Sequence, residues 1–105
     1  MKMNNKLALP IPHREIESFC VAHHVAKLSL FGSVTTEKFG PESDVDILVE
    51  FEKGCVPGLF GMSGMQTELT DLIGRKVDLH TPKQISRFFR ERVLAESVVQ
   101  YALAV

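Results

Sequence analysis

LSLFGSVTTEKFGPESDVDILVEF, residues Leu28–Phe51, is the stretch that decides the fold, because two short apolar runs enclose a polar segment. The first run ends at Gly32-Ser33, and ten residues separate Ser33 from Asp44. The second run alternates between apolar and other residues, which is the pattern of a β-strand with one buried face. Asp44 and Asp46 then share the opposite face, with their side-chain stems roughly 6 to 7 Å apart.

Two carboxylates so close together on an apolar strand indicate a site for hard cations. Unpaired acids in apolar surroundings are disfavoured, and Mg²⁺ prefers oxygen ligands. The Gly-Ser corner offers backbone N–H groups and a hydroxyl to phosphate oxygens. Alone, a Gly-Ser pair is more often a simple turn and an Asp-x-Asp more often a solvated strand end. Together they predict a site for a Mg-nucleotide.

The spacing of apolar residues predicts further elements on both sides of this stretch. Helices are predicted over 12–24, 33–39 and 59–73, and from Thr81-Pro82 onward with an apolar stripe of Ile85, Phe88, Phe89 and Val93. Strands are predicted over 27–31, 44–51 and 76–80, and the tail VVQYALAV is a helical turn or a short edge strand.

The helices need one face of the sheet and the acids need the other. The predicted fold class is therefore α+β, a small mixed β-sheet with helices packed on one face. Asp78 then lies on the open face together with Asp44 and Asp46. His80, two residues further along, is interpreted as a satisfied or exposed histidine rather than a site residue.

Composition limits the function classes. The 105 residues predict a single domain, with residues 1–9 as a loose N-terminal arm. A formal net charge of −1 gives no strong sequence evidence for direct nucleic-acid binding. No run reaches transmembrane length, so no membrane partner is expected. Cys20 and Cys55 without a secretory leader predict reduced thiols and a cytoplasmic location.

The joint pattern FGS, then SDVDILVEF, then KVDLHT resembles the nucleotidyltransferases of the DNA polymerase β superfamily. More narrowly, it resembles the minimal nucleotidyltransferases, the MNT antitoxins of HEPN/MNT pairs, over about residues 11–101. The resemblance implies a polymerase β-like nucleotidyltransferase fold, a two-metal Mg²⁺ site and ATP as substrate. It also implies AMP transfer to a HEPN-domain toxin, within a homo- or hetero-oligomer.

The resemblance also implies roles for individual residues. Asp44 and Asp46 would bind both metals, and Asp78 would bind one metal and orient or deprotonate the acceptor hydroxyl. Gly32 and Ser33 would hold the terminal phosphates of the nucleotide.

The segment after Gly-Ser departs from the pattern of the family. Many relatives read x-Ala-Arg-Gly, whereas this chain has Val34, Thr35, Thr36 and Glu37. A cation at the triphosphate is therefore missing at position 36. Either Lys38 or an arginine of the partner replaces it, or the chain is a degenerate antitoxin or complex subunit that acts by binding alone.

Overall fold

A computed structural model of the chain describes residues 9–103. Most of the predicted N-terminal arm lies outside these residues, and Leu9 packs against the core. The elements in order are α1 (His13–Ala22), β1 (Val25–Phe31), a 3₁₀ turn (Gly32–Thr35), β2 (Val45–Phe51), α2 (Leu59–Ile73), β3 (Val77–His80), a 3₁₀ turn (Pro82–Gln84), α3 (Arg87–Glu96) and β4 (Val98–Ala102). Across this described part, no helix has the length and apolarity needed to cross a membrane.

The four strands form one mixed sheet in the order β3-β2-β1-β4. β1 is antiparallel to both β2 and β4, whereas β2 and β3 are parallel. Parallel strands need a crossover connection, and α2 provides it. The predicted α+β class is confirmed, and the apolar tail is the edge strand rather than a helical turn.

The core lies between the sheet and the helices α1 and α2. Alternate β2 residues Val45, Ile47 and Val49 are fully buried, as the period-2 pattern predicts. The helices cover them mainly with Ile16, Phe19, Cys20, Met65 and Leu69. Burial raises the pKa of the Cys20 thiol to about 12, so this thiol belongs to the core. The opposite phase of β2 and β3 carries Asp46 and Asp78, together with the buried Leu48.

The helix predicted over 33–39 is wrong in length, because only the 3₁₀ turn Gly32–Thr35 forms. The hydroxyls of Thr35 and Thr36 donate to the carbonyls of Gly32 and Ser33 at 2.8 and 2.9 Å. Such local side-chain bonds compete with helix propagation. A turn this short also supplies no helix N-terminus for phosphates.

The helix predicted from Thr81 is interrupted. A first 3₁₀ turn ends at Gln84, and α3 begins only after Ser86, whose hydroxyl accepts from the N–H of Phe88 at 3.4 Å. Arg90 stabilises the break by donating to the carbonyls of Pro82 and Ile85 at 2.7 and 3.0 Å. The predicted apolar stripe is wrong in part, since Phe88 is 82% and Phe89 60% exposed.

Candidate active site

The corner at the end of β1 lies directly against the acids of β2. Gly32 has φ +76°, a conformation that favours glycine. A β-carbon at this position would also collide with Oδ2 of Asp46. Gly32 is therefore required twice, for its backbone conformation and for the close approach of a carboxylate. Ser33 follows it in the same turn and is half-buried.

Asp46 lies at the centre of the acid group. It pairs with Phe31 of β1 on one side and with Asp78 of β3 on the other. Burial raises the pKa of Asp46, and the carboxylates of Asp78 and Asp44 raise it further, while His80 lowers it. Asp44 and Asp78 thus lie close enough to Asp46 for their charges to disfavour its ionised form.

The carboxylates themselves face nearby nitrogen atoms. Asp44 Oδ2 is 3.9 Å from Lys76 Nζ, and Asp46 Oδ1 is 3.8 Å from His80 Nε2. Within residues 9–103, no three His, Cys, Asp or Glu side chains are close enough together to form a metal-ligand group. The predicted three-acid metal site is therefore not assembled with the side chains in these positions.

The chemistry of these acids nevertheless suits Mg²⁺. All three offer carboxylate oxygens, which hard divalent cations prefer. Asp46, whose ionised form is disfavoured by burial and by its acidic neighbours, gains most from a nearby dication. Asp44, Asp46 and Asp78 are therefore the residues that would hold Mg²⁺.

His80 is closer to the site than the sequence interpretation placed it. Besides facing Asp46, its ring packs edge-to-face on Phe31, with the ring centroids 5.5 Å apart. The signal was present in the sequence, because His80 is two residues beyond Asp78 and so shares its strand face. His80 and Phe31 together form one side of the acid group.

Arg75 was missed by sequence reasoning and holds the loop that leads into Asp44. Its Nη2 atom donates to the carbonyls of Gly40 and Ser43 at 2.8 and 2.7 Å. Its guanidinium also lies 4.5 Å from the centre of the Phe39 ring. Arg75 is thus a positioning residue for the entrance to β2.

A cleft of about 410 Å³ opens beside this corner. One wall is the β1 end and the turn after it, and the other is α3. The lining residues are Phe31, Gly32, Thr35, Thr36, Phe89, Arg92, Val93 and Glu96. Thr36, at the position where many relatives have arginine, uses its hydroxyl on the carbonyl of Ser33. The turn therefore presents no cation from position 36 to the cleft.

A small mixed sheet that places a Gly-Ser corner against strand acids is the architecture of nucleotidyltransferases. A family model described as "Nucleotidyltransferase domain" matches residues 13–101. The chain therefore belongs to the nucleotidyltransferase family, and the resemblance noted in the sequence is confirmed.

Individual relatives and solved structures are also similar to this chain. Protein adenylyltransferase MntA of Thermococcus cleftensis is 34% identical over 92 residues, covering 80% of this chain and 91% of that protein. A toxin–antitoxin crystal structure with AMP-PNP matches with TM-score 0.72 and 17% identity, covering 89% of this chain and 75% of the other. The complex of a tri-AMPylated Shewanella oneidensis HEPN toxin with an MNT antitoxin matches with TM-score 0.63 and 17% identity, covering 87% and 70%. At 17% identity, these two likenesses show the fold alone.

Proposed function

We propose that this nucleotidyltransferase moves AMP from ATP to a hydroxyl of a partner protein in a Mg²⁺-dependent reaction. One observation carries the proposal: Asp46 lies between the Gly32 corner and Asp78, with its pKa raised by burial and by the other two acids. This arrangement combines a place for phosphates with carboxylates that a dication would stabilise.

In the proposed reaction, the acids hold the metal ions and the corner holds the nucleotide. Asp44, Asp46 and Asp78 would hold the Mg²⁺ ions, and Asp78 would also orient the acceptor hydroxyl. The backbone of Gly32 and the hydroxyl of Ser33 hold the terminal phosphates. Bound Mg²⁺ would neutralise charge on the phosphates during in-line displacement at the α-phosphate, with pyrophosphate as the leaving group.

The proposed partner and acceptor is a HEPN-domain toxin. Support comes from the MntA name of one relative and from the AMPylated HEPN toxin in one structural neighbour. Exposed apolar side chains are available for an interface, since Leu59 and Phe60 at the start of α2 are 83% and 91% exposed. Met65, further along the same helix, is buried in the core.

A second candidate function is neutralisation of the partner by contact alone. The observation that favours it is at Thr36, which supplies a hydroxyl bound to backbone where relatives supply a cation. A cation at a triphosphate contributes both to binding and to stabilisation of charge in the transition state. The two candidates differ in one respect, namely whether the partner gains mass.

The test is intact-mass analysis of the co-purified partner after incubation with ATP and Mg²⁺. We expect a gain of one or more AMP units with wild type and none with Asp44→Asn. Asp71→Asn is the matched control, because it makes the same change on the exposed side of α2 and should leave transfer intact. Complex formation and neutralisation without any mass gain, in wild type and in Thr36→Arg, would overturn transfer in favour of contact alone.

A further inference from the structure

The cleft beside Gly32 has a cation on the wall opposite the corner. Thr35 and Thr36 line the cleft from the turn, and Arg92 and Glu96 line it from α3. Lys38, one of the two replacements expected from the sequence, is absent from this lining within the described part of the chain. Arg92 thus faces the region that position 36 leaves without a positive charge.

The bond that holds Arg92 is easily exchanged. Its Nε atom donates to Oε2 of Glu96 at 3.4 Å, one helical turn further along α3. The two side chains are 76% and 67% exposed, and ion pairs so exposed contribute little to stability. A polyphosphate, with several negative charges, would compete successfully with a single solvated carboxylate for this guanidinium.

Other cations near the site are either bound to the backbone or outside the cleft lining. Arg75 donates to the carbonyls of Gly40 and Ser43, and Arg90 donates to those of Pro82 and Ile85. Lys76 has an exposed contact with Asp44 at 3.9 Å and does not line the cleft. By contrast, Arg92 lines the cleft and has only the exposed Glu96 contact among the described residues.

We propose that Arg92 of α3 binds the polyphosphate of the nucleotide across the cleft from Gly32, and so replaces the arginine that position 36 lacks. The inference rests on the proposed nucleotide-transfer function and assigns the cation to this chain rather than to a partner. Glu96 holds Arg92 before the nucleotide arrives and, as a negative charge in the same cleft, opposes binding afterwards.

The experiment measures ATP binding to the purified chain in the presence of Mg²⁺ by calorimetry, with AMP as a second ligand. Arg92→Gln should weaken ATP binding by roughly tenfold to hundredfold, the range of one charge-assisted contact. AMP binding should change much less, because AMP lacks the β- and γ-phosphates. Glu96→Gln should strengthen ATP binding several-fold.

Arg87→Gln is the matched control, since it removes the same charge from the same helix. Arg87 is exposed, lies near the Phe88 ring and is outside the cleft lining. It should leave ATP binding unchanged, and melting curves of both variants show whether α3 still forms. Thr36→Arg in the Arg92→Gln background should restore part of the lost affinity, because both positions line one cleft.

The outcomes separate this inference from the proposed function. If Arg92→Gln binds ATP as wild type does while AMP transfer proceeds, the inference is overturned and the function stands. If wild type binds ATP through Arg92 but transfers no AMP, the transfer function is overturned and the binding role of Arg92 stands. If the wild-type chain binds no ATP with Mg²⁺, both are overturned.

Discussion

Gly32→Ala is the substitution whose effect the structure determines most directly. A residue with a β-carbon is strained at φ +76°, because the left-handed backbone conformation costs it about 1 to 2 kcal/mol. The new β-carbon also overlaps Oδ2 of Asp46, so the carboxylate must leave its rotamer at a further cost of about 0.5 to 1.5 kcal/mol. We expect a loss of roughly 2 to 3 kcal/mol in the free energy of unfolding.

Two further variants separate the backbone part of this loss from the part caused by the collision with Asp46. Gly54→Ala is the backbone control, because Gly54 has φ +79° and nothing lies within 4 Å of its missing β-carbon. Asp46→Ala removes the colliding oxygen and leaves its β-carbon 3.4 Å from the new methyl group, which is an ordinary contact. In that background, Gly32→Ala should cost no more than Gly54→Ala does in wild type.

The assay is urea unfolding of the four proteins of the double-mutant cycle and of Gly54→Ala, in metal-free buffer. Gly32→Ala should also abolish most AMP transfer, because it moves Asp46, whereas Gly54→Ala should keep it. Equal costs for Gly32→Ala in both backgrounds, together with unchanged transfer, would refute the collision with Asp46.

Two further predictions concern the charges around the site. Asp46→Asn should raise the free energy of unfolding at pH 7 in metal-free buffer. The pKa of Asp46 is raised in the folded state, so the stability of wild type falls as pH rises through that pKa. The amide of asparagine cannot ionise and therefore avoids this loss. The gain in stability, measured by urea unfolding, should shrink towards pH 4, and Mg²⁺ should stabilise wild type but not the mutant. A mutant less stable than wild type at pH 7 would contradict the raised pKa of Asp46. Arg75→Lys should lower stability by about 1 to 3 kcal/mol, because a single ammonium replaces the planar group that reaches two carbonyls and the Phe39 ring. Thermal melts beside Arg87→Lys check this, and equal melting temperatures would count against a positioning role.

The sequence predicted most of the sheet because its strands have clear periodicity. The alternation in 44–51 identified the buried face of β2, and the same reasoning placed Asp78 on the face that carries Asp46. The parallel register of β2 and β3 pairs these two residues directly. These features are local, since a strand with one buried face leaves little freedom in which residues point outward.

What the sequence did not predict depends on contacts between distant residues. The break before α3 is stabilised by Arg90 reaching back to Pro82, and no helical periodicity reports such a bond. Arg75 reads as an ordinary surface cation, although in the structure it holds carbonyls more than 30 residues away in sequence. Arg92 likewise has the pattern of an exposed helix residue, and only the structure shows that it lines the same cleft as Gly32.

One feature that costs stability lies at the place where a nucleotide and metal ions are proposed to bind. There Asp46 lies between the Gly32 corner and Asp78, and burial together with the neighbouring acids raises its pKa. In the core, by contrast, local preference and packing agree, as in the alternating β2 residues. Proteins keep local conflicts of this kind mainly at functional sites. Contact alone gives no use for a carboxylate whose ionised form is disfavoured, so Asp46 beside Gly32 argues for transfer.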